Sequence, residues 1–305
     1  MDAIQKNLLE QVAGLHEMPA GAYNIRANGE SAGRATTAHI DIVTKQDVQG
    51  IDIVIKPGTK KESVHIPVVL SQSGLTEMVY NDFYVGEDCD ITIVAGCGIH
   101  NGGDKDSRHD GIHSFYIGKN SRVKYVEKHY GSGDGNGARI MNPETRVDMG
   151  ENSYLEMETV QIKGVDSTKR LTSAKLADGA KLVVTEKLMT HGSQTAETSF
   201  VVDMNGKGSS ANIVSRSVAR DNSVQTFFSK INGNNSCAGH SECDGIIMDN
   251  AKISAIPEIT ANHIDAQLIH EAAIGKIAGE QLIKLMTLGL TEAEAEAQII
   301  NGFLK

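Results

Sequence analysis

"GEDCDITI" (residues 86–93), "GKNSRVKY" (118–125) and "GENSYLEM" (150–157) are three copies of one pattern. Each opens on a turn built from Gly, Asn or Asp, continues with one small residue, and then alternates apolar and polar positions. Later copies are "ADGAKLVV" (177–184), "GKGSSANI" (206–213) and "MDNAKISA" (248–255), so successive starts lie 32, 32, 27, 29 and 42 residues apart. Alternation with period two marks a strand with one buried face. Recurrence at this spacing predicts a solenoid, in which each unit buries its apolar face only by stacking on the next. A second strand in each interval makes one coil of a flattened β-helix. An antiparallel sandwich also has short strands and frequent turns, and is the alternative. In a β-helix, Val123, Leu155, Leu182 and Ile253 should point inward and stack in ladders.

Composition agrees with narrow stacked layers. The 305-residue chain has no Trp and only 4% aromatic residues, against 31 Gly. Small, aliphatic and β-branched side chains must therefore fill the interior. The 39 acidic and 29 basic residues give a net charge of −10. That argues against nucleic acid or an anionic membrane as the main partner, since both attract a basic face. No apolar run is long enough to span a bilayer. "MDAIQKNLLEQVAGLHEM" has neither the basic start nor the apolar block of a secretory signal, so a cytoplasmic protein is expected. Four cysteines in a long reduced chain are not a disulfide framework.

Helical spacing occurs at both ends. Ile4, Leu8, Leu9 and Val12 predict a short N-terminal helix stopped by Gly14. Leu282, Leu285 and Met286 share one face of a second helix, with Gly289 as its C-cap. Thr291 and Glu294 form a capping box ahead of a third. The expected organisation is an N-terminal helix within residues 1–20, a β-helix core over 21–268 and a C-terminal helical segment over 269–305. The terminal helices are expected to cover the last open edge of the solenoid, or to present a partner surface.

Several chemistries are excluded. There is no GxxxxGK[ST] phosphate loop and no G-x-S-x-G elbow. "GSGDGNGAR" (131–139) is glycine-rich without matching GxGxxG and reads as a mobile turn. "HEAAI" (270–274) starts like a zinc-protease HExxH but ends in Ile274.

"SCAGHSECDG" (236–245) places Cys237, His240, Glu242 and Cys243 close together. Thiolate and imidazole suit zinc, copper(I) or iron–sulfur clusters. The C-x₅-C spacing is not that of a zinc ribbon, and buried cysteines are common core residues. Both readings therefore stand. Cys89 falls within a repeat strand and reads as core. Cys97, in "AGCGIHN", sits between glycines with His100 three residues on, open to close approach by a ligand. His270 and Glu271 are adjacent, so on a strand they face opposite ways. The two cysteines, one histidine and two acids of the last third leave too few soft ligands for a complete four-thiolate cluster in one chain. A site shared across a dimer would relieve the shortage.

"ECDGIIMD", "AIPEITA", "LIHEAAIGKIAGEQLIKLMTLGL" and "EAEAQIINGF" in series resemble the core and C-terminal region of the SufB/SufD family of iron–sulfur cluster assembly proteins. "YNDFYVGEDCDITIVAGCGIHN" and "HDGIHSFYIGKNSRVKYVEKHYG" are similar to its compact single-chain members from archaea and anaerobic bacteria. The resemblance implies a mainly β protein, a right-handed parallel β-helix with short helical ends, paired through the β-helix as a homodimer. It implies a scaffold, not an enzyme, that carries a transient iron–sulfur cluster and passes it to apo iron–sulfur proteins. A SufC-type ABC ATPase would dock on Ile277–Lys305, which accords with the missing phosphate loop. By the same resemblance Cys243, Glu271 and His270 are the cluster and metal ligands, with Cys237 and His240 behind them. Two departures stand out: the chain is shorter than a full SufB, and the cysteine-rich N-terminal motif of some SufB proteins is absent. The rivals are a β-helix carbohydrate-active enzyme, which needs a long groove of acids and aromatics, and an inert platform for the ATPase.

Overall fold

The corner turns explain why these repeats coil. The third residue of the first five copies is Asp88, Asn120, Asn152, Gly179 and Gly208, and each adopts a left-handed backbone with φ between 54° and 71°. Asx and Gly residues tolerate that conformation best. The fourth residue, Cys89, Ser121, Ser153, Ala180 or Ser209, is small because it turns into the interior with at most 1% exposure. Ser121 shows the use of the hydroxyl: its Oγ accepts from the Cys89 amide at 3.0 Å and donates to the Gly86 carbonyl at 2.7 Å, tying two coils together.

The protein's computed structural model, which describes residues 1–305, is a parallel β-solenoid of about eight turns with short helices at both ends. Each coil contributes one strand to each of two facing sheets. Ile91, Val123, Leu155, Leu182 and Ala211 stand in register on five successive strands. All are at most 4% exposed, and each fully buried Leu or Ile contributes about 1.5–3 kcal/mol of transfer free energy. Ile253 is the exception to the expected ladder. It lies in the opposite sheet, beside Gln225, and is only half-buried because its strand is the last one there. "MDNAKISA" is thus the partner of "RDNSVQTF" (220–227) at the other corner, where Asp221 and Asp249 take the left-handed conformation. The 42-residue interval is one and a half coils.

At the N-terminal end two antiparallel hairpins, Ala22–Ala27 with Glu30–Ala35 and Ile40–Thr44 with Gly50–Ile55, precede the regular coils. Helix α1 (Ala3–Ala13) has an Asp2/Gln5 capping box and Gly14 as its left-handed C-cap. Leu8, Leu9 and Val12 are buried against the outer face of strand Asp90–His100, while Ile4 is exposed. Gly96 permits this contact: a Cβ there would lie 2.8 Å from the Val12 carbonyl oxygen.

"GSGDGNGAR" is not a loose turn. Gly135 and Gly137 donate to the Asn101 and Gly103 carbonyls at 3.1 and 2.9 Å, stacking this loop on the one beneath it. A Cβ at Gly133, Gly135 or Gly137 would stand 2.2 Å from backbone oxygen. The glycines are there for close stacking.

The C-terminal end departs most from expectation. The last strand, Gln267–Gly275, runs past residue 268, and helices α2 (Gly279–Thr287) and α3 (Glu292–Phe303) follow. Thr291 and Glu294 do form a capping box. The helices pack on each other, and Arg220 pairs with Glu296 at 3.9 Å. They leave the open edge of the solenoid uncovered: Ile256, Ile259, Ile269 and Ile274 on the last two strands are 50%, 44%, 56% and 37% exposed. No side chain of α2 is buried. No helix is long and apolar enough to cross a membrane.

Candidate functional site

Strands Ala238–Ile247 and Gln267–Gly275 are parallel neighbours at the open end, and their register sorts the candidate ligands. Ser241 pairs with His270, Glu242 with Glu271 and Cys243 with Ala272. Ser241 and Cys243 are fully buried, so their parity faces the interior, and His270 shares it. His240, Glu242 and Glu271 have the opposite parity and face outward. The sheet therefore divides the set: Cys243 and His270 inside, His240 and Glu271 outside. Cys237 is buried at the corner just before the strand.

The two faces differ electrostatically. Burial pushes the Cys243 thiol up to about 12, and the carboxyls of Glu186 and Asp244 push the same way. At neutral pH it carries its proton. Burial and nearby His240 hold His270 below the usual histidine range, and its Nδ1 is buried without a partner. A neutral imidazole is the form that ligates metal. Outside, His240 Nδ1 lies 2.8 Å from Asn212 Oδ1, and Nε2 lies 3.3 Å from Glu271 Oε2. One ligand atom each of His240, Glu242 and Glu271 lies within 4.8 Å of the others.

A second thiol has an environment of the opposite kind. Cys97 points inward, whereas His100, three residues on, turns outward to bond Ser132 at 3.1 Å. The histidines that meet the thiol are His109 and His129, on other strands. Burial alone would raise the Cys97 thiol, but His109 and then His129 lower it to about 7. Burial disfavours the His109 cation, yet Cys97 and Glu77 hold the imidazole above its ordinary range. Glu77 in turn accepts from Arg26 Nε at 2.7 Å. Cys97, His109 and Glu77 form a buried chain on three strands.

Polar residues line the interior between the two thiols. Cys97 stands in register with His129. Glu127, Thr159, Glu186, Ser215 and Cys243 form a single ladder across five strands. Arg170 crosses from the opposite sheet, bonding Glu127 and standing 3.9 Å from Glu186. Arg170 holds Glu127 well below the usual carboxylate range against its burial. Burial dominates at Glu186 and raises it, despite hydroxyl donors at 2.7 Å from Ser215 and 3.0 Å from Thr198. The sequence carried a signal for this seam. In "VKYVEKHYG" Glu127 and His129 have the same parity as Val123 and Tyr125, so both had to point inward.

An open groove of about 750 Å³ runs across the ends of several coils on the other sheet. Tyr84 and Tyr116 stack there with centroids 5.1 Å apart. Asp148 is the sole carboxylate in the lining. Glycoside hydrolysis ordinarily takes two carboxyl groups, and the lining of this groove supplies one.

Parallel coils, interior thiols joined by a polar seam and an uncovered final coil define a β-solenoid with a partly polar interior. Residues 71–303 match the family model described as SUF system FeS cluster assembly, SufBD core domain, and the chain belongs to that family. It is 28% identical to an iron–sulfur cluster assembly SufBD family protein of Methanocaldococcus jannaschii, over 83% of this chain and 79% of that one. A protein of the same description from Pyrococcus horikoshii is 26% identical over 97% of this chain and 84% of its own length. A third, from Methanothermobacter thermautotrophicus, is 28% identical over 85% of this chain and 63% of its own.

Proposed function

We propose that the chain is a scaffold subunit on which iron–sulfur clusters are built and from which they pass to apo-proteins. In this reading it works in the cytoplasm as a homodimer with a SufC-type ABC ATPase. One observation carries it: Cys243, His270 and Glu271 lie on two hydrogen-bonded strands at the uncovered end of the solenoid. The cluster is cargo, held by the Cys243 thiolate with Glu271 and His270 once the last strand has moved, since at rest the sheet keeps Glu271 and His240 on its outer face and Cys243 and His270 on its inner one; Cys237 stands close by.

In this reading the ATPase has a mechanical task. Cys243 is buried and protonated, so it must be uncovered before it can bind iron. The strand that covers it, Gln267–Gly275, has one unpaired edge and mostly exposed side chains. Few buried contacts make it an inexpensive element to displace. ATP hydrolysis in a partner docked on Ile277–Lys305 would open and close it. Exposed Ile283, Met286 and Leu288, at 62%, 42% and 76%, supply an apolar docking face. The open edges of both sheets, with their four exposed isoleucines, suit pairing with a second copy. Cys97, held near 7, suits sulfur uptake. Its thiolate would take the terminal sulfur of a persulfide donor, which leaves as a thiol. The polar seam then leads toward Cys243.

Anaerobic reconstitution with ferrous iron and sulfide, read by absorption and Mössbauer spectra, tests this. The parent should hold a cluster, Cys243→Ala should lose it with the fold intact, and His270→Ala and Glu271→Ala should weaken it. If Cys243→Ala keeps the parental iron and sulfide while Cys97→Ala loses them, the cluster sits at Cys97 and the assignment is wrong.

A further inference from the structure

We propose that His240, Glu242 and Glu271 form a mononuclear ferrous-iron site on the outer face of the last two coils, separated by one sheet from the Cys243 thiol. The inference rests on the scaffold reading and gives that scaffold a separate place for iron. Strand parity is the first ground. Glu242 and Cys243 are consecutive, so their side chains leave the strand on opposite sides. No thiol of this chain shares the outer face: all four cysteines are buried.

Donor chemistry is the second ground. One imidazole and two carboxylates are borderline and hard donors, a nitrogen–oxygen set suited to Fe²⁺ and not to Cu(I). Metal bonds of about 2.1 Å to each donor span up to about 4.2 Å between ligands. The present separation, within 4.8 Å, closes on an ion by small rotations of the glutamates. Glu271 is 65% exposed and His240 30%, so an ion reaches them from solution.

Orientation of the histidine is the third ground. Asn212, one coil back on the adjacent strand, presents its Oδ1 at 2.8 Å from His240 Nδ1. An oxygen there takes the Nδ1 proton, leaving Nε2 aimed at Glu271 with Glu242 beside it. Metal-binding histidines are held in this way by an acceptor on the far ring nitrogen. Two carboxylates and an imidazole lone pair repel one another unless a proton or a cation sits between them. Asp244, two residues on from Glu242 on the same face, adds to the negative field. The arrangement would keep iron apart from sulfur until the last strand moves.

Cobalt(II), added anaerobically to the full-length protein, is the probe. The parent should bind one ion with weak ligand-field bands of nitrogen–oxygen coordination and no sulfur-to-cobalt charge transfer. His240→Gln and Glu242→Gln should abolish binding, Asn212→Ala should weaken it about 10–100-fold, and Cys243→Ala should leave it unchanged. Circular dichroism checks that each variant folds. Failure of the parent to bind, parental affinity in both His240→Gln and Glu242→Gln, or charge transfer lost in Cys243→Ala would each overturn the site. A parent that binds cobalt as expected yet holds no cluster on reconstitution overturns the scaffold reading alone. A parent that holds a cluster while His240→Gln and Glu242→Gln bind cobalt normally overturns the iron site alone.

Discussion

Arg170 reaches across the interior of the solenoid from one sheet to form a buried ion pair with Glu127 of the other. Both side chains are at most 5% exposed. A second carboxyl, Glu186, and the ring of His129 complete the cluster. Charges this deep persist only as a mutually satisfied set. Arg170→Met should therefore cost about 3–5 kcal/mol, because it strands Glu127 without a partner. Arg170→Met combined with Glu127→Gln should recover a large part of that loss. Urea unfolding of the three proteins measures it. Equal loss in the single and double variants would show that packing volume, and not the charge pair, matters here.

His113 gives the protein an acid-sensitive interior. Burial, with His109 and His129 nearby, lowers it to about 4, while Tyr125 bonds its Nδ1 at 2.8 Å. The folded state keeps the ring neutral where the unfolded chain, at its ordinary value of 6.5, takes up a proton. The unfolded state thus binds more protons between pH 6.5 and about 4, so stability falls as pH drops through that window. The full shift corresponds to about 3 kcal/mol. His113→Gln should flatten the slope between pH 6.5 and 4 relative to the parent, as measured by urea midpoints.

Cys97 should react as a thiolate near neutrality. With its thiol near 7, about half is ionised at pH 7, against roughly 1% for a thiol near 9. His109→Gln removes the largest charge that favours the thiolate. Persulfidation of Cys97 by a small polysulfide at pH 7 should then slow by roughly tenfold or more, and its pH midpoint should rise. Peptide mass mapping after timed quenching follows the reaction. An unchanged midpoint would assign the low value to some other group.

Deleting residues 277–305 should leave the solenoid intact, since α2 buries no side chain and α3 buries only Ala295 and Ile300. The β spectrum and the thermal midpoint should stay close to the parent's. Binding to a SufC-like ATPase should vanish in sedimentation or pull-down with purified partners. Unimpaired binding would move the docking surface onto the coils.

Ladder order, turn positions and the capped helices at both ends follow from local rules: side chains alternate along a strand, left-handed turns take Asx or Gly, and small residues fill corners. Residues 86–93 alone carry all three, so the repeating coil was legible in one chain. The same rule told that His270 and Glu271 could not face one site together. Strand parity could also have placed Glu127 and His129 inside, although nothing local says what would neutralise them. That depended on Arg170, which lies on the facing sheet, 43 residues away. Likewise Cys97 sits next to His100 in sequence yet meets His109 and His129 in space, because pairing between coils, and not chain distance, decides what faces a thiol inside a solenoid. The open last edge was equally hidden. Whether a terminal helix covers a sheet depends on where the chain leaves the final strand, and a sequence records the helix's apolar face without saying which surface it meets.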